Sequence, residues 1–387
     1  MNQPDTFCPD LPADMLEAMV TTLPTIDLLS ASCVSHDWLH AVRSSLHTRP
    51  RLFPWLILRC LPHPTASNHS IHALDPYSRT WLSVPRRNNS TVKQSLLTPY
   101  FLHGSTRDLL YKLTFSQLVI SKDPFGSSIK MEAKGLKVWR QDPVVAEVGR
   151  WVVVVGGGFI PDLDEGEEEG AVEVYNKQTG TWELAEPMPT KFEGSTYATW
   201  LSVAVSDKRL YMIEKNTGWV SQFDPECKTW VLTRRLRPDL SVLKWSIGIA
   251  GKERLLLVGA RKEGGVMKVR TWEVDGDTLQ VISNNPEEMP TEMVDRLFPN
   301  FDSLHEDWQA VCSVEVRGTE RGGYMFDPAN MKNGVVMYQL SMEEEEGRTV
   351  WRWEWVPAPA TVGCDMMERI SVGCSPVTLH EVARCLL

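Results

Sequence analysis

Three tryptophans, Trp81, Trp182 and Trp230, sit in one recurring local context. The chain reads "SIHALDPYSRTW" up to the first, "AVEVYNKQTGTW" up to the second and "VSQFDPECKTW" up to the third. A threonine (Thr80, Thr181, Thr229) directly precedes each tryptophan, and an apolar residue (Leu74, Tyr175, Phe223) stands seven before it. The residues between are turn formers: Asp75-Pro76, Asn176 with Gly180, and Asp224-Pro225. Each copy therefore reads as a strand, a tight turn and a second strand opening on Trp. A fourth copy is read in "VRTWEVDGDTL", with Trp272 seven before Leu279, Thr278 in front of it and Asp275-Gly276 in the turn.

Each later copy follows another apolar run: "WVVVVGG" before Trp182, "LYMIE" before Trp230 and "LLLVGA" before Leu279. Trp182 and Trp230 are 48 residues apart. Short strands recurring at that period predict four-stranded blades around an axis, a mainly β propeller. The chain has 387 residues, more than one ordinary core accommodates, which also favours a repeat or a second domain.

"WVVVVGGGF" at 151–159 raises the rival reading of a phosphate cradle. A cradle needs a helix whose N-terminus faces the anion. Here the glycines lead through Pro161 into "DLDEGEEE", six carboxylates in eight residues, which repel phosphate. No GxxxxGK[ST] occurs. Gly156 and Gly157 are instead expected to end an inner strand where neighbouring blades crowd.

The blades are drafted as 53–86, 95–143, 144–190, 195–240, 243–290 and 306–359, six in all with five or seven left open, and a closing strand near 369–377. Trp139 is the only anchor available for the second blade. The whole propeller is drafted as 53–378 and residues 379–387 as a tail.

Residues 8–50 read differently. Leu16, Met19, Val20 and Leu23 repeat at helical spacing, with Pro12 suited to a first turn and Pro24 to a stop. Ile26, Leu29 and Cys33 line a second helix. Ser35 is placed to cap a third, with Trp38, Leu39, Val42 and Leu46 facing inward. Three short helices cannot bury this much apolar surface alone, so the unit calls for a partner.

Other chemistry finds little support. The net charge of −10 opposes nucleic-acid binding, and the basic stretches Arg234-Arg235 with Arg237 and Arg86-Arg87 lack interleaved aromatics. The eight cysteines include no CxxC pair, and the first ten residues lack a signal-peptide pattern. Free thiols in the cytoplasm or nucleus are the expectation. No apolar run is long enough to span a membrane. Cys33, His36 and His40 have zinc-like spacing but fall within the helical head and lack a fourth ligand. The acidic stretch at 162–169 lacks calcium-loop spacing, His380-Glu381 is not HExxH, and GxSxG is absent. No cofactor and no catalytic residue is read. The acidic stretches 162–169 and 343–346 would give one propeller face a negative field if both lay away from the helical head.

Residues 151–189, with "VVVVGGG", Tyr175, Trp182 and a following "MP", resemble a kelch repeat, the other copies being degenerate. The head resembles an F-box through Leu11-Pro12, Asp14, Leu16, Leu23-Pro24, Leu28-Leu29, Cys33-Val34-Ser35 and Trp38. It departs at His36-Asp37, where that family has a basic residue before the Trp. The two together are characteristic of a large plant family. The resemblance implies a substrate receptor of a Skp–cullin–F-box ubiquitin ligase, without catalytic residues of its own. The F-box would dock a Skp-family adaptor, and through it a cullin, by Leu11, Pro12, Leu16, Leu23, Pro24, Ile26, Leu28, Leu29, Val34 and Trp38. The propeller would hold a target protein for ubiquitination and proteasomal degradation. Some members direct enzymes of phenylpropanoid metabolism to degradation. Gly156, Gly157, Tyr175, Trp81, Trp182, Phe223 and Trp230 would be structural. Two alternatives stay open: a propeller enzyme or small-molecule binder with a helical cap, and a scaffold that recruits no ligase.

Overall fold

Local turn chemistry sets the hairpins. The structure is a computed structural model and describes residues 11–61, 70–84, 102–103, 109–114, 116–121, 125, 131–138, 140–158, 170–283, 285–299, 313–342, 349–362 and 369–386. Asp75, Asn176, Asp224 and Asp275 each accept, on side-chain Oδ1, the N–H two residues on: Tyr77 at 3.0 Å, Gln178 at 2.9 Å, Glu226 at 2.8 Å and Asp277 at 3.2 Å. These are Asx turns. Four residues after each, the chain passes through a left-handed residue: Arg79, Gly180, Lys228 and Leu279. In the first three hairpins Trp then faces the apolar residue across the ladder, as Leu74–Trp81, Tyr175–Trp182 and Phe223–Trp230.

The fourth hairpin corrects the sequence alignment. Leu279 occupies the left-handed turn position, and the cross-strand bridge is Val274–Val281. The residue equivalent to Trp is therefore Val281, two places beyond the expected anchor. Trp272 instead pairs with Leu257 and lies 5.5 Å from the buried Trp245 ring.

Six four-stranded antiparallel sheets result. Blade 1 contains β1 (Trp55–Leu61), β2 (Ser70–Asp75) and β3 (Thr80–Val84). Blade 2 contains β4 (Leu102–His103), β5 (Leu110–Leu113), β6 (Gln117–Ser121) and β7 (Met131–Lys134). Its outer strand precedes Trp139, which lies outside the described residues. Blade 3 contains β8 (Val144–Val148), β9 (Trp151–Val155), β10 (Val172–Asn176) and β11 (Thr181–Ala185). Blade 4 contains β12 (Leu201–Val205), β13 (Leu210–Glu214), β14 (Trp219–Asp224) and β15 (Thr229–Arg235). Blade 5 contains β16 (Val242–Ile249), β17 (Arg254–Glu263), β18 (Val266–Asp275) and β19 (Glu287–Glu288). Blade 6 contains β20 (Glu315–Thr319), β21 (Gly322–Phe326), β22 (Val335–Met342) and β23 (Thr349–Val356). Finally β24 (Arg369–Ser375) pairs with β1 along its whole length and becomes the innermost strand of blade 1. The ring is closed by joining its two ends.

The head is three helices, α1 (Ala13–Thr22), α2 (Thr25–Ser32) and α3 (His36–Thr48). Ser35 caps α3 by accepting the Trp38 N–H at 3.3 Å. The head docks on blade 1. Asp75, fully buried, accepts from the Thr25 N–H at 3.0 Å and so also serves the N-terminus of α2.

In place of the tail expected at 379–387, Leu379–Leu386 form a helix, α5, following a short α4 at Thr291–Leu297. Thr378 accepts the Glu381 N–H at 3.2 Å, and Glu381 accepts the Thr378 N–H at 2.8 Å, a capping box. Val382 packs with Trp55, Val377 and Ile26, while Leu379 packs on the core of the head. The helix thus wedges between head and propeller.

Both acidic stretches lie outside the described residues. The first connects β9 to β10 and the second connects β22 to β23. Strands alternate in direction, so β9 and β22 end at opposite ends of their blades. No helix among the described residues is long and apolar enough to cross a membrane.

Candidate functional site

The head buries Leu16, Val20, Leu28, Ala31, Ala41 and Val42 in a core of its own. Leu16 and Leu28 are therefore supports and not contact surface, at 3% and 0% exposure. Leu23 and Trp38 pack half-buried on the same core, and Pro24 and Leu29 are half-buried too. Ile26 corrects the expectation more sharply: it faces Trp55 and Val382 in the junction with the propeller.

What remains outside is apolar. Leu11, Met15, Met19 and Val34 are 45%, 53%, 46% and 65% exposed, with Pro12 exposed beside them. Met19, which its spacing sets on the stripe with Leu16 and Val20, lies outside, and Met15 is exposed beside it. Leu11, Met15 and Met19 are spaced by four, a second stripe alongside the buried Leu16–Val20 one, and that spacing was the available signal. Four large exposed apolar side chains are many for so small a unit.

The head is tied to the propeller through Leu23 and Thr25. The Arg51 guanidinium donates to the Thr25 hydroxyl at 3.0 Å and to the Leu23 carbonyl, and lies 5.0 Å above the Tyr77 ring. Tyr77 in turn accepts the Phe53 N–H at 3.3 Å. Burial lowers the Arg51 pKa and raises that of Tyr77 from their ordinary values.

The residues read as structural form the propeller's internal ties. The indole N–H of Trp81 donates to Pro357 O at 2.8 Å, that of Trp182 to Lys134 O at 2.9 Å and that of Trp230 to Glu186 O at 3.2 Å. Each acceptor closes the outer strand of the preceding blade, so each Trp staples two blades. Tyr175 and Phe223 each lie 5.1 Å from their Trp ring. Gly156 and Gly157 have φ of 59° and 94°. A Cβ there would lie 2.4 Å from Thr196 O and 2.8 Å from Gln141 O. They end β9, the second strand from the axis and not the innermost. Beside them Arg140 and Glu173 form a 2.7 Å ion pair, 3% and 0% exposed, and Glu173 also accepts the Lys137 and Val138 N–H groups.

Cys33, His36 and His40 are exposed and not gathered, and among the described residues no group of three or more His, Cys, Asp or Glu is placed to hold a metal.

No protein-family profile matches the chain. Among solved structures it is similar to a eukaryotic initiation factor (11% identity, TM-score 0.33, covering 77% of this chain). It spans only 62% of that chain's length. It is also similar to a putative 6-phosphogluconolactonase from Bacteroides uniformis (9% identity, TM-score 0.36, covering 82% of this chain and 99% of that one). Likeness at this level decides nothing about function. Among curated proteins it is 30% identical over 379 residues to an F-box/kelch-repeat protein of Arabidopsis thaliana, covering 95% of this chain and 90% of that one. With its apolar helical head fixed on a six-bladed ring, the chain belongs to the F-box/kelch-repeat proteins.

Proposed function

We propose that this chain is the substrate-receptor subunit of a Skp–cullin–F-box ubiquitin ligase. The observation that carries the reading is the exposed stripe Leu11, Met15, Met19 with Val34, on a helical unit whose own core is already filled. A Skp-family adaptor covers the stripe, a cullin follows through the adaptor, and the propeller holds a target protein. The receptor supplies no bond chemistry. It raises the effective concentration of target lysines near the charged ubiquitin carrier. The Asp75–Thr25 and Arg51 contacts fit that task, since a rigid arm fixes the distance between target and adaptor. We place the activity in the cytoplasm or nucleus. The first target class to test is an enzyme of phenylpropanoid metabolism, by affinity capture with residues 1–50 deleted.

The adaptor reading is tested by Met15→Asp with Met19→Asp. Both side chains point to solvent, so the melting temperature should hold while capture of a Skp-family adaptor falls by tenfold or more, about 1.4 kcal/mol or above. Undiminished capture would overturn it.

A further inference from the structure

At three blade junctions the hairpin tryptophan lies over the end of the preceding outer strand and donates to its carbonyl. At the junction of blades 4 and 5 the equivalent residue is Val281, smaller and without an N–H. An open cleft of about 360 Å³ stands there. Arg234, Arg235 and Arg237 line it from the end of blade 4, and Leu279, Gln280 and Val281 from blade 5.

Among the described residues no carboxylate lines the cleft, and the three guanidiniums bond only to backbone carbonyls: Arg234 to Thr278 at 3.3 Å, Arg235 to Thr217 at 3.1 Å, and Arg237 to Leu240 and Val242 at 3.3 and 3.4 Å. Arg237 Nε is buried without a partner. The nearby Asp239 is engaged elsewhere, with Arg261 at 3.0 Å and Arg270 at 3.3 Å. Other arginines of the hairpin turns have carboxylate partners: Arg79 with Glu354, Arg150 with Glu226, Arg209 with Asp277. Three uncompensated guanidiniums are thus concentrated in one groove of a protein whose net charge is −10.

The geometry points to this cleft as a docking site for an anionic side chain of the target, a phosphorylated serine or threonine or a cluster of carboxylates. Guanidiniums bind such oxygens through paired, charge-assisted hydrogen bonds. The protein's overall charge repels an extended polyanion, so a single compact anionic group in a peptide is favoured over a nucleic acid. The identity of the ligand as a target segment rests on the receptor reading; the affinity of the cleft for anions does not.

The test is fluorescence polarisation with the full chain and labelled glycine–alanine peptides carrying one phosphoserine, a run of glutamates, or an unmodified serine. At least one anionic peptide should bind while the serine peptide does not, and which one binds identifies the source of the charge. Arg234→Ala with Arg235→Ala should weaken binding about tenfold or more. Val281→Trp should weaken it as well, by filling the groove. Lys134→Ala with Lys137→Ala removes the same charge from exposed positions at the end of blade 2, across the ring from the cleft, and should leave the affinity unchanged. Three results overturn the proposal: anionic peptides binding no better than serine, the lysine pair weakening binding as much as the arginine pair, or a single-stranded oligonucleotide outcompeting the peptides. Any of these with adaptor capture intact removes the cleft and leaves the receptor reading standing.

Discussion

Blades 3 and 5 share one topology and are held by different means. Blade 3 is tied to its neighbours: Trp182 bonds to blade 2, Arg140 from the connection before β8 pairs with Glu173, and Gly156 and Gly157 let Thr196 and Gln141 approach. Blade 5 is joined to blade 4 by Arg209 with Asp277 and Arg234 with Thr278 in place of a Trp, and adds ties within its own hairpin. Its two central strands have ten residues each against five in blade 3, and Trp245 and Trp272, their rings tilted by 51°, pack with Ile213 and Leu236 of blade 4. Gly259 makes room for Trp245, since a Cβ there would lie 3.1 Å from the ring. Arg261 and Arg270 converge on Asp239, and Arg270 and Lys268 on Glu288. A blade that loses its staple can stand by lengthening its own hairpin, and the groove so freed becomes usable surface.

The sharpest way to break this contrast is Glu173→Ala, which leaves Arg140 buried without its carboxylate. Stability should fall by about 3–5 kcal/mol in urea titration. Next is Trp182→Ala. Trp182 is half-buried, so about 3 kcal/mol, the lower end for large aromatic truncations, is the expected loss. Val281→Ala should cost about 1 kcal/mol, and equal losses at the two sites would dissolve the distinction between the blades. Gly157→Ala forces a Cβ at φ 94° against Gln141 O and should cost about 1–3 kcal/mol, read as a lower melting temperature.

Acid gives a smaller test on blade 5. Burial works against the Asp239 carboxylate, but two bonds from Ser241 and the charges of Arg261 and Arg270 outweigh it and hold its pKa below the ordinary value. A depressed carboxylate stabilises the fold above its unfolded pKa, about 3.9, and loses that contribution as pH falls through the folded value. Asp239→Asn should therefore be less stable than the parent at neutral pH, and the gap should close on acidification below about pH 4. A gap independent of pH would remove charge from the explanation. The smallest effect is Val281→Trp, which should raise the melting temperature by a few degrees if it restores the missing staple.

The hairpins were legible because Asx turns are made by residues close in sequence: Asp75, Asn176 and Asp224 announce themselves, and the Trp opposite follows. Blade 5 was misaligned by two residues because Trp272 and Thr278 imitate the pattern, while Asp275, the true landmark, points to Val281. The helix at 379–386 was missed although Thr378-x-x-Glu381 before Val382 carries a capping box. In the head, helical periodicity separated inside from outside for Leu16 and Val20 but not for Met19, which lies at the stripe's edge. Ile26 was beyond reach, since its partners Trp55 and Val382 come from distant parts of the chain. The arginine cleft was visible only as charge. That it is open depends on a tryptophan absent from the facing blade.

Trp55 pairs with Ser375, so the first propeller strand made must wait for one of the last. At ribosomal speeds of about 5–20 residues per second, that interval is on the order of tens of seconds. Through it β1 offers an unpaired strand edge, the kind that other chains can join. Five blades can assemble meanwhile, but the first stays one strand short. The wedge that steadies the head arrives only after that strand, in residues 379–386. A chain interrupted early would carry a finished helical head on an arm that cannot lock, so truncation should leave the head's exposed apolar side chains free to swing against an open ring.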